Sequence, residues 1–268
     1  MDFMIQEHDQ NREAWNEASE HYRKNLNEDL RFLKGGGKNF CAPELKFLEP
    51  LAEKCNRAIH LQCAGGTDTL SLINLGIKEV IGVDISEEMI HIARTKSIEL
   101  QMPATWIVSD ILNTPSELNG KADLVYTGRG AINWIMDIEA WGKVIARLLK
   151  PGGFLYLFEG HPVTFFFDML GSDLKFDTEF QGYFSDKTYQ SQKWPKTYVG
   201  KIKDREEEQS MKYERAWPIS NVITSLLKAG LTLHQFEEHP EAYWKEFPNM
   251  PDDVRTKFPN TFSLLMKK

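Results

Sequence analysis

The sequence lacks the features that mark several common classes of protein. Its 268 residues include three cysteines, Cys41, Cys55 and Cys63, with no Cys-x-x-Cys pair, so neither a disulfide framework nor a zinc site is expected. No apolar run approaches the roughly 20 residues that cross a bilayer, and the acidic N-terminal stretch is unlike a signal peptide. The net charge of −7 argues against a surface that neutralises nucleic-acid phosphates. We therefore expect a cytoplasmic protein without a metal site, which binds neither nucleic acid nor membrane.

Two phosphate-binding motifs are also missing. The glycine-rich fingerprint Gly-x-Gly-x-x-Gly of dinucleotide-binding domains does not occur. Lys38 follows three glycines at 35–37, but no strand precedes them, and Asn39 stands where a P-loop has the Ser or Thr that binds magnesium. We interpret these glycines as a flexible hinge.

What the sequence does contain is an alternation of strands and helices from residue 58 to about residue 159. Strands are predicted at 58–62, 80–84, 104–108, 123–127 and 154–158, and helices between them include 68–75 and 140–149. Strands separated by helices of this length form a parallel sheet with right-handed crossovers. Ligands of such sheets bind at the carboxyl ends of the strands.

The flanking segments have different patterns. Residues 1–57 are interpreted as a helical cap, because Trp15, Ala18 and Tyr22 recur at helical spacing. Residues 58–268 form the main domain, with an aromatic insertion at 163–217. That insertion is a small subdomain with its own core, or some of its rings also line a substrate pocket. The last two predicted strands, 231–237 and 261–266, have no convincing helix between them and are expected to be antiparallel.

The segment 59–68 carries most of the functional signal. It reads Ile-His-Leu-Gln-Cys-Ala-Gly-Gly-Thr-Asp, in which a strand enters a turn of small residues and then a helix, and the next strand ends on Asp84. Such a turn lets a ligand approach the backbone, and the carboxylate can accept hydrogen bonds from a ribose diol. A nicotinamide dinucleotide and S-adenosylmethionine both fit this layout.

The motifs and their order resemble the class I S-adenosylmethionine-dependent methyltransferases. Within them, the chain is similar to a bacterial group whose first motif is His-Leu-Gln-Cys-x-x-Gly-x-Asp-Thr-Leu. The resemblance covers nearly the whole chain, with landmarks at residues 11–15, 60–70, 82–86, 130–134, 149–153, 159–162 and 262–264. It implies a doubly wound, seven-stranded, mostly parallel α/β sheet with an antiparallel last strand, which is a Rossmann-like fold. It also implies S-adenosylmethionine as the cofactor.

The resemblance further implies roles for single residues. The turn at 62–66 would contact the methionine part of the cofactor, Asp84 the ribose hydroxyls, Asp110 the adenine amino group and the backbone of Ile111 the adenine edge. The residues expected to bind the cofactor are Gln62, Cys63, Ala64, Gly65, Gly66, Asp68, Asp84, Ile85, Asp110, Ile111 and Thr127, with Trp15 and Tyr22 as a lid. Asp84 as a helix cap, Asp110 as a strand end, and Trp15 and Tyr22 as packing residues are the alternatives.

The first motif departs from the common Glu/Asp-x-Gly-x-Gly-x-Gly. Those four positions read His60, Gln62, Ala64 and Gly66, so only the last glycine is kept. Gln62 either replaces a backbone contact to the cofactor or marks a degenerate site. For His60 the alternative to a role in the site is a buried, hydrogen-bonded core histidine.

Substrate and catalytic residues are less well indicated. His161, with Glu159 behind it, is the candidate general base, and a structural hydrogen-bonding role is its alternative. Arg129 would clamp a carboxylate or pair on the surface, and Trp134 and Phe166 are expected on the substrate side. Three hypotheses remain open: a small-molecule methyltransferase, a non-catalytic or degenerate S-adenosylmethionine-binding protein, and an NAD(P)-dependent oxidoreductase.

Overall fold

A central sheet with helices on both faces organises the chain. The computed structural model describes residues 2–168, 172–177, 182–192, 194, 209–244 and 247–268. The strands are β1 Arg57–Leu61, β2 Glu79–Asp84, β3 Thr105–Val108, β4 Ala122–Gly128, β5 Leu149–Gly160, β6 Tyr189–Ser191, β7 Lys212–Glu214, β8 Thr232–His239 and β9 Thr261–Lys267. The helices are α1 Asp2–Lys24, α2 Leu26–Lys34, α3 Ala42–Ala52, α4 Thr67–Asn74, α5 Glu87–Leu100, α6 Ile138–Leu148, α7 Ile219–Lys228 and α8 Asp252–Arg255.

Seven of these strands form the sheet in the order β3-β2-β1-β4-β5-β9-β8. Strands β1 to β5 pair in parallel, whereas β9 runs antiparallel to both of its neighbours, β5 and β8. The predicted seven-stranded, mostly parallel sheet with an antiparallel last strand is confirmed. Chain order reverses between β1 and β4, so their carboxyl ends flank the crevice in which doubly wound sheets bind ligands.

The sheet is buried on both faces, which is why its strands read as nearly continuous apolar runs. On one face α6 and α7 contribute Trp141, Ile145 and Leu226 to the core. On the other face α3 packs Phe47 and Leu48 against the sheet. Helix α6 begins at Ile138, two residues before the predicted start, because the Asp137 side chain caps it by accepting hydrogen bonds from the backbone N–H groups of residues 139 and 140.

The N-terminal segment folds as three helices, of which α1 and α2 cover the carboxyl edge of the sheet and α3 packs on one of its faces. Helix α1 extends beyond the residues 15–22 whose helical spacing indicates the cap, and α2 and α3 were not predicted individually. The glycines predicted as a hinge follow α2, and a side chain on Gly37 would collide with the ring of Phe32. Gly37 is therefore packed against Phe32, whereas Gly36 faces open space. None of the described helices is long and apolar enough to cross a membrane.

The insertion at 163–217 contains a short antiparallel hairpin, β6 paired with β7. Its residues 169–171, 178–181, 193 and 195–208 lie outside the described residues. In the described part, Trp194 is buried and joins a cluster with Ala14 and Ala18 of α1. The insertion and the N-terminal helix thus share one small core, and the division of the chain at residue 57 stays an interpretation.

Candidate functional site

A cavity of about 560 Å³ opens at the carboxyl ends of β1, β2 and β4, beneath α1 and α2. Fourteen residues that the sequence nominates line it: Trp15, Tyr22, Gln62, Cys63, Ala64, Gly65, Gly66, Asp68, Asp84, Ile85, Asp110, Ile111, Arg129 and Trp134. The parallel sheet brings these residues together, because each follows the end of a strand or lies on a helix that covers that edge. Thr127, His161 and Phe166 are not part of this lining.

The turn after β1 keeps the last glycine of the motif, Gly66, because only glycine fits there. Gly66 has a φ of +77°, and a Cβ at this position would lie 2.5 Å from the ring of Trp106 and 2.7 Å from the Cβ of Ala93. Gln62 and Ala64 occupy the two lost glycine positions and still adopt positive φ values, +57° and +44°. The turn has therefore kept the backbone of a glycine-rich loop while carrying side chains.

The side chain of Gln62 ties this turn to the loop after β4. Its Nε2 donates to the backbone carbonyl of Ala131 at 2.6 Å. That carbonyl also fixes the orientation of the amide, since only an N–H can donate to it. The buried Oε1 of Gln62 has no hydrogen-bond partner among the described residues. The site thus contains a spare acceptor next to its backbone turn.

Asp84 is held at the end of β2 by backbone donors. Its Oδ2 accepts from the Ala64 N–H at 2.8 Å and its Oδ1 from the Ser86 N–H at 2.9 Å. Burial raises the pKa of Asp84 to about 6, and the bonds from Ser86 and Ala64 oppose that rise. The N-cap of α5 is Ser86, whose Oγ accepts from the Met89 N–H, so the helix-cap alternative for Asp84 is wrong.

Asp110 uses its two oxygens in different ways. Oδ1 accepts from the Leu112 N–H at 2.9 Å and so caps the short turn Ile111–Asn113, as the strand-end alternative expects. Oδ2 lies 2.6 Å from Nδ1 of His8, a residue of α1. The same carboxylate therefore both closes a local turn and faces the cavity.

Arg129 belongs to a buried network and is not a surface residue. Its guanidinium contacts the fully buried carboxylate of Glu44 at 2.6 Å and that of Asp68 at 3.5 Å. Glu44 also accepts from the hydroxyl of Tyr126 at 2.7 Å. Burial raises the pKa of Glu44, and the charge of Arg129 opposes that rise. The surface-pair alternative for Arg129 is wrong, and its role as a carboxylate clamp stays a prediction.

His60 and Glu159 support the cavity from behind. His60 Nδ1 lies 2.8 Å from the Thr69 hydroxyl, and burial lowers the pKa of its imidazole to about 4, so the ring is neutral. This is the buried, hydrogen-bonded core histidine of the alternative interpretation, although its ring also touches the cavity. Glu159 accepts from the backbone N–H groups of residues 130, 131 and 132 at 2.7 to 2.9 Å, which fixes the loop after β4.

The remaining predicted residues lie elsewhere. His161 Nε2 is 2.9 Å from Glu238, and its Nδ1 accepts from the Val163 N–H at 3.2 Å. Both ring nitrogens are thus engaged, which favours the structural alternative, and the role of general base stays a prediction. Thr127 is buried within β4, and Phe166 stacks on Tyr183 with ring centroids 6.2 Å apart.

Several lining residues were not found from the sequence, among them His8 and Asn11 of α1 and Tyr243 with Trp244 before α8. His8 and Asn11 could have been predicted from their helical spacing. Asn11 lies four residues before Trp15 and His8 three residues before Asn11, so the three share one helical face. No sequence pattern indicates Tyr243 and Trp244, because their approach to Gly130 and Gly160 depends on the tertiary fold.

Comparisons with known proteins agree with this architecture. Residues 58–153, roughly a third of the chain, match the family model of a methyltransferase domain. A ubiquinone biosynthesis O-methyltransferase from Xanthomonas oryzae pv. oryzae is 31% identical over 101 residues, which are 38% of this chain and 41% of that protein. The chain therefore matches less than half of the length of this curated relative.

Two solved structures are similar over most of the chain. An S-adenosylmethionine-dependent methyltransferase from Mesorhizobium loti superposes with a TM-score of 0.57 at 17% identity, covering 84% of this chain and 96% of that one. A geranyl diphosphate C-methyltransferase from Streptomyces coelicolor, solved with S-adenosyl-L-homocysteine, gives 0.55 at 13% identity, covering 84% and 75%.

The fold is that of the class I methyltransferases. Residues 58–153, which carry the turn after β1 and the ends of β2 to β4, match a methyltransferase domain.

Proposed function

We propose that this protein is an S-adenosylmethionine-dependent methyltransferase that acts on a small-molecule acceptor. The observation that carries this proposal is the arrangement of two carboxylates, Asp84 and Asp110, along the cavity that begins at the turn after β1. An adenosyl group offers a ribose diol and an exocyclic amine, and ionised carboxylates are strong acceptors for both. The match of residues 58–153 to a methyltransferase domain supports the same conclusion.

The residues of the cavity fit the cofactor. Asp84 would accept from the ribose hydroxyls and Asp110 from the adenine amino group. The spare Oε1 of Gln62 and the strained turn at Ala64 lie where the methionine part is expected. When bound, the cofactor supplies an electrophilic methyl group on a sulfonium.

The chain's own contribution is to orient the acceptor and exclude water. Trp15 of α1 packs edge to face on Trp134 and Trp194, with ring centroids 5.2 and 5.0 Å apart. The rings of Trp134 and Trp194 are tilted against each other at 5.8 Å, and Trp15 and Trp134 line the cavity. These rigid rings would restrict an acceptor in the cavity to a few orientations. Orientation lowers barriers by up to about 7–11 kcal/mol in well-aligned cases.

Proton removal is required only for acceptors that arrive protonated. His161 stays the predicted base for that case, with Glu238 as the group that orients its ring. Because His161 does not line the cavity, this role would need the acceptor to extend beyond the lining residues.

The alternatives have less support. A degenerate cofactor site would have lost the contacts of its first turn, yet Asp84 still binds the Ala64 N–H and Gln62 still binds Ala131. The antiparallel strand β9 between β5 and β8 is the ending of the methyltransferase sheet, and the dinucleotide fingerprint of oxidoreductases is absent from the sequence.

Calorimetric titration with S-adenosylmethionine, S-adenosylhomocysteine and NAD(H) tests the proposal. We expect micromolar binding of both adenosyl ligands, no binding of NAD(H), and at least tenfold weaker binding of the adenosyl ligands in Asp84→Asn. Methyl transfer to a panel of small phenols, amines and thiols would then be followed by mass spectrometry. A folded protein that binds neither adenosyl ligand would refute the proposed function, and binding without transfer to any acceptor would favour the non-catalytic alternative.

A further inference from the structure

His8 connects helix α1 to the adenine end of the cavity. Its Nδ1 lies 2.6 Å from Oδ2 of Asp110, and its Nε2 accepts a hydrogen bond from the Met136 backbone N–H at 3.3 Å. A neutral imidazole carries one ring proton, and only the bare nitrogen can accept. The Met136 amide therefore places the proton on Nδ1, so His8 donates to Asp110.

Both oxygens of Asp110 are consequently fixed. Oδ1 is held by the Leu112 N–H of its own turn and Oδ2 by His8, and the side chains of His8 and Asp110 are only 5% and 18% exposed. Because each carboxylate oxygen can accept two hydrogen bonds, Oδ2 keeps a free acceptor direction. A carboxylate that is held in this way cannot rotate away from a ligand in the cavity.

We propose that His8 is a positioning residue for adenine recognition, which orients the Asp110 carboxylate so that its free lone pair receives the exocyclic amine. The inference rests on the proposed function, in which Asp110 contacts adenine. It adds the N-terminal helix to the cofactor site. A chain of hydrogen bonds runs from the Met136 amide through the imidazole to the carboxylate, and each donor fixes the orientation of the next group.

Helix α1 is also docked at a second point, away from the contacts that hold His8. The side-chain amide of Asn11, one helical turn further on, pairs in both directions with the backbone of Tyr213 in β7, at 2.9 and 2.8 Å. Asn11 therefore anchors the same helix to the insertion without touching Asp110. This makes Asn11→Ala the matched control for His8→Ala.

The test compares two ligands that differ at the adenine amine. S-inosylhomocysteine carries a carbonyl oxygen where S-adenosylhomocysteine carries the amine, and calorimetry gives the ratio of their dissociation constants. We expect the wild-type protein to prefer the adenosyl ligand by at least about tenfold, as a charge-assisted hydrogen bond does. His8→Ala should remove most of that preference, whereas Asn11→Ala should weaken both ligands by the same factor and leave the ratio unchanged.

Two conservative variants separate positioning from folding. The amide nitrogen of Asn can stand where Nδ1 of histidine stands, and that of Gln reaches the position of Nε2. His8→Asn should therefore keep the preference and His8→Gln should lose it, even if His8→Ala does not fold. Equal weakening of both ligands in His8→Ala and His8→Gln would overturn the inference and leave His8 as a helix anchor. A folded wild-type protein that binds neither ligand would instead overturn the proposed function itself.

Discussion

Replacing Gly66 by alanine should destabilise the fold through contact with one aromatic ring. At Gly66, φ is +77°, and an added Cβ would lie 2.5 Å from Trp106 and 2.7 Å from the Cβ of Ala93. The chain also offers a matched control. Gly36 has nearly the same φ, +78°, but an added Cβ there meets nothing within 4 Å.

Comparison of the two substitutions separates the backbone and packing contributions to the loss of stability. A left-handed conformation costs an L-residue roughly 1–2 kcal/mol. Removing glycine from the unfolded chain returns about 0.4–1 kcal/mol of that cost. Gly36→Ala should therefore lower the free energy of unfolding by about 0.5–1 kcal/mol. Gly66→Ala adds overpacking of a filled site, about 1–3 kcal/mol more.

Urea denaturation followed by circular dichroism measures both free energies of unfolding. The double variant Gly66→Ala/Trp106→Leu removes the ring that the new methyl group meets, so it should recover part of the packing cost. The reasoning is refuted if Gly36→Ala and Gly66→Ala lower the free energy of unfolding equally. It is also refuted if Gly66→Ala costs as much stability in the Trp106→Leu protein as in the wild type.

The remaining predictions concern charges in and behind the site. Asp84→Asn should weaken binding of S-adenosylhomocysteine at least tenfold, at about 1.5–3 kcal/mol per charge-assisted bond. In the wild type, affinity should fall as the pH drops through about 6, where Asp84 takes up a proton. Because this pKa lies above its usual value of 3.8, the native state binds the proton more tightly, and the contribution of Asp84 to stability should decrease from pH 4 to pH 6; calorimetry and urea titrations across that range check both. Glu44→Gln leaves the Arg129 charge buried with Asp68 only at 3.5 Å, and should cost about 3–5 kcal/mol in urea denaturation; a loss below about 1 kcal/mol would contradict the importance of that pair. His161→Ala should leave cofactor affinity unchanged and lower Tm, and a hundredfold loss of turnover at unchanged affinity would instead establish the general base.

The sheet and much of the cofactor site could be predicted because their signals are local. Each parallel strand is a mostly apolar run that ends in a turn; Asp84 is the last residue of β2, and Asp110 lies two residues after the end of β3. The topology of such sheets brings all these ends to one edge. A residue predicted at the end of a parallel strand was therefore also predicted to lie in the site.

The parts that the sequence did not reveal depend on long-range contacts. Glu44 and Arg129 are separated by 85 positions, and no sequence pattern around either residue indicates a buried ion pair. Helix α3 was not predicted individually, and its two prolines, Pro43 and Pro50, are residues that usually interrupt helices. In the structure, Pro43 occupies its first turn, where no backbone donor is needed, and the helix ends two residues after Pro50.

The altered first motif is best understood through backbone strain. Gln62, Ala64 and Arg129 have positive φ values without being glycine, and all three line the cavity. A residue in such a conformation costs of order 1–3 kcal/mol and persists only where its surroundings hold it. Here Gln62 is held by the Ala131 carbonyl, Ala64 by Asp84, and Arg129 by Glu44. Loss of the motif glycines has therefore not relaxed the turn, since new side-chain contacts hold the same strained backbone. A turn under no functional constraint could lower its energy by leaving this conformation, so the retained strain favours a working cofactor site over a degenerate one.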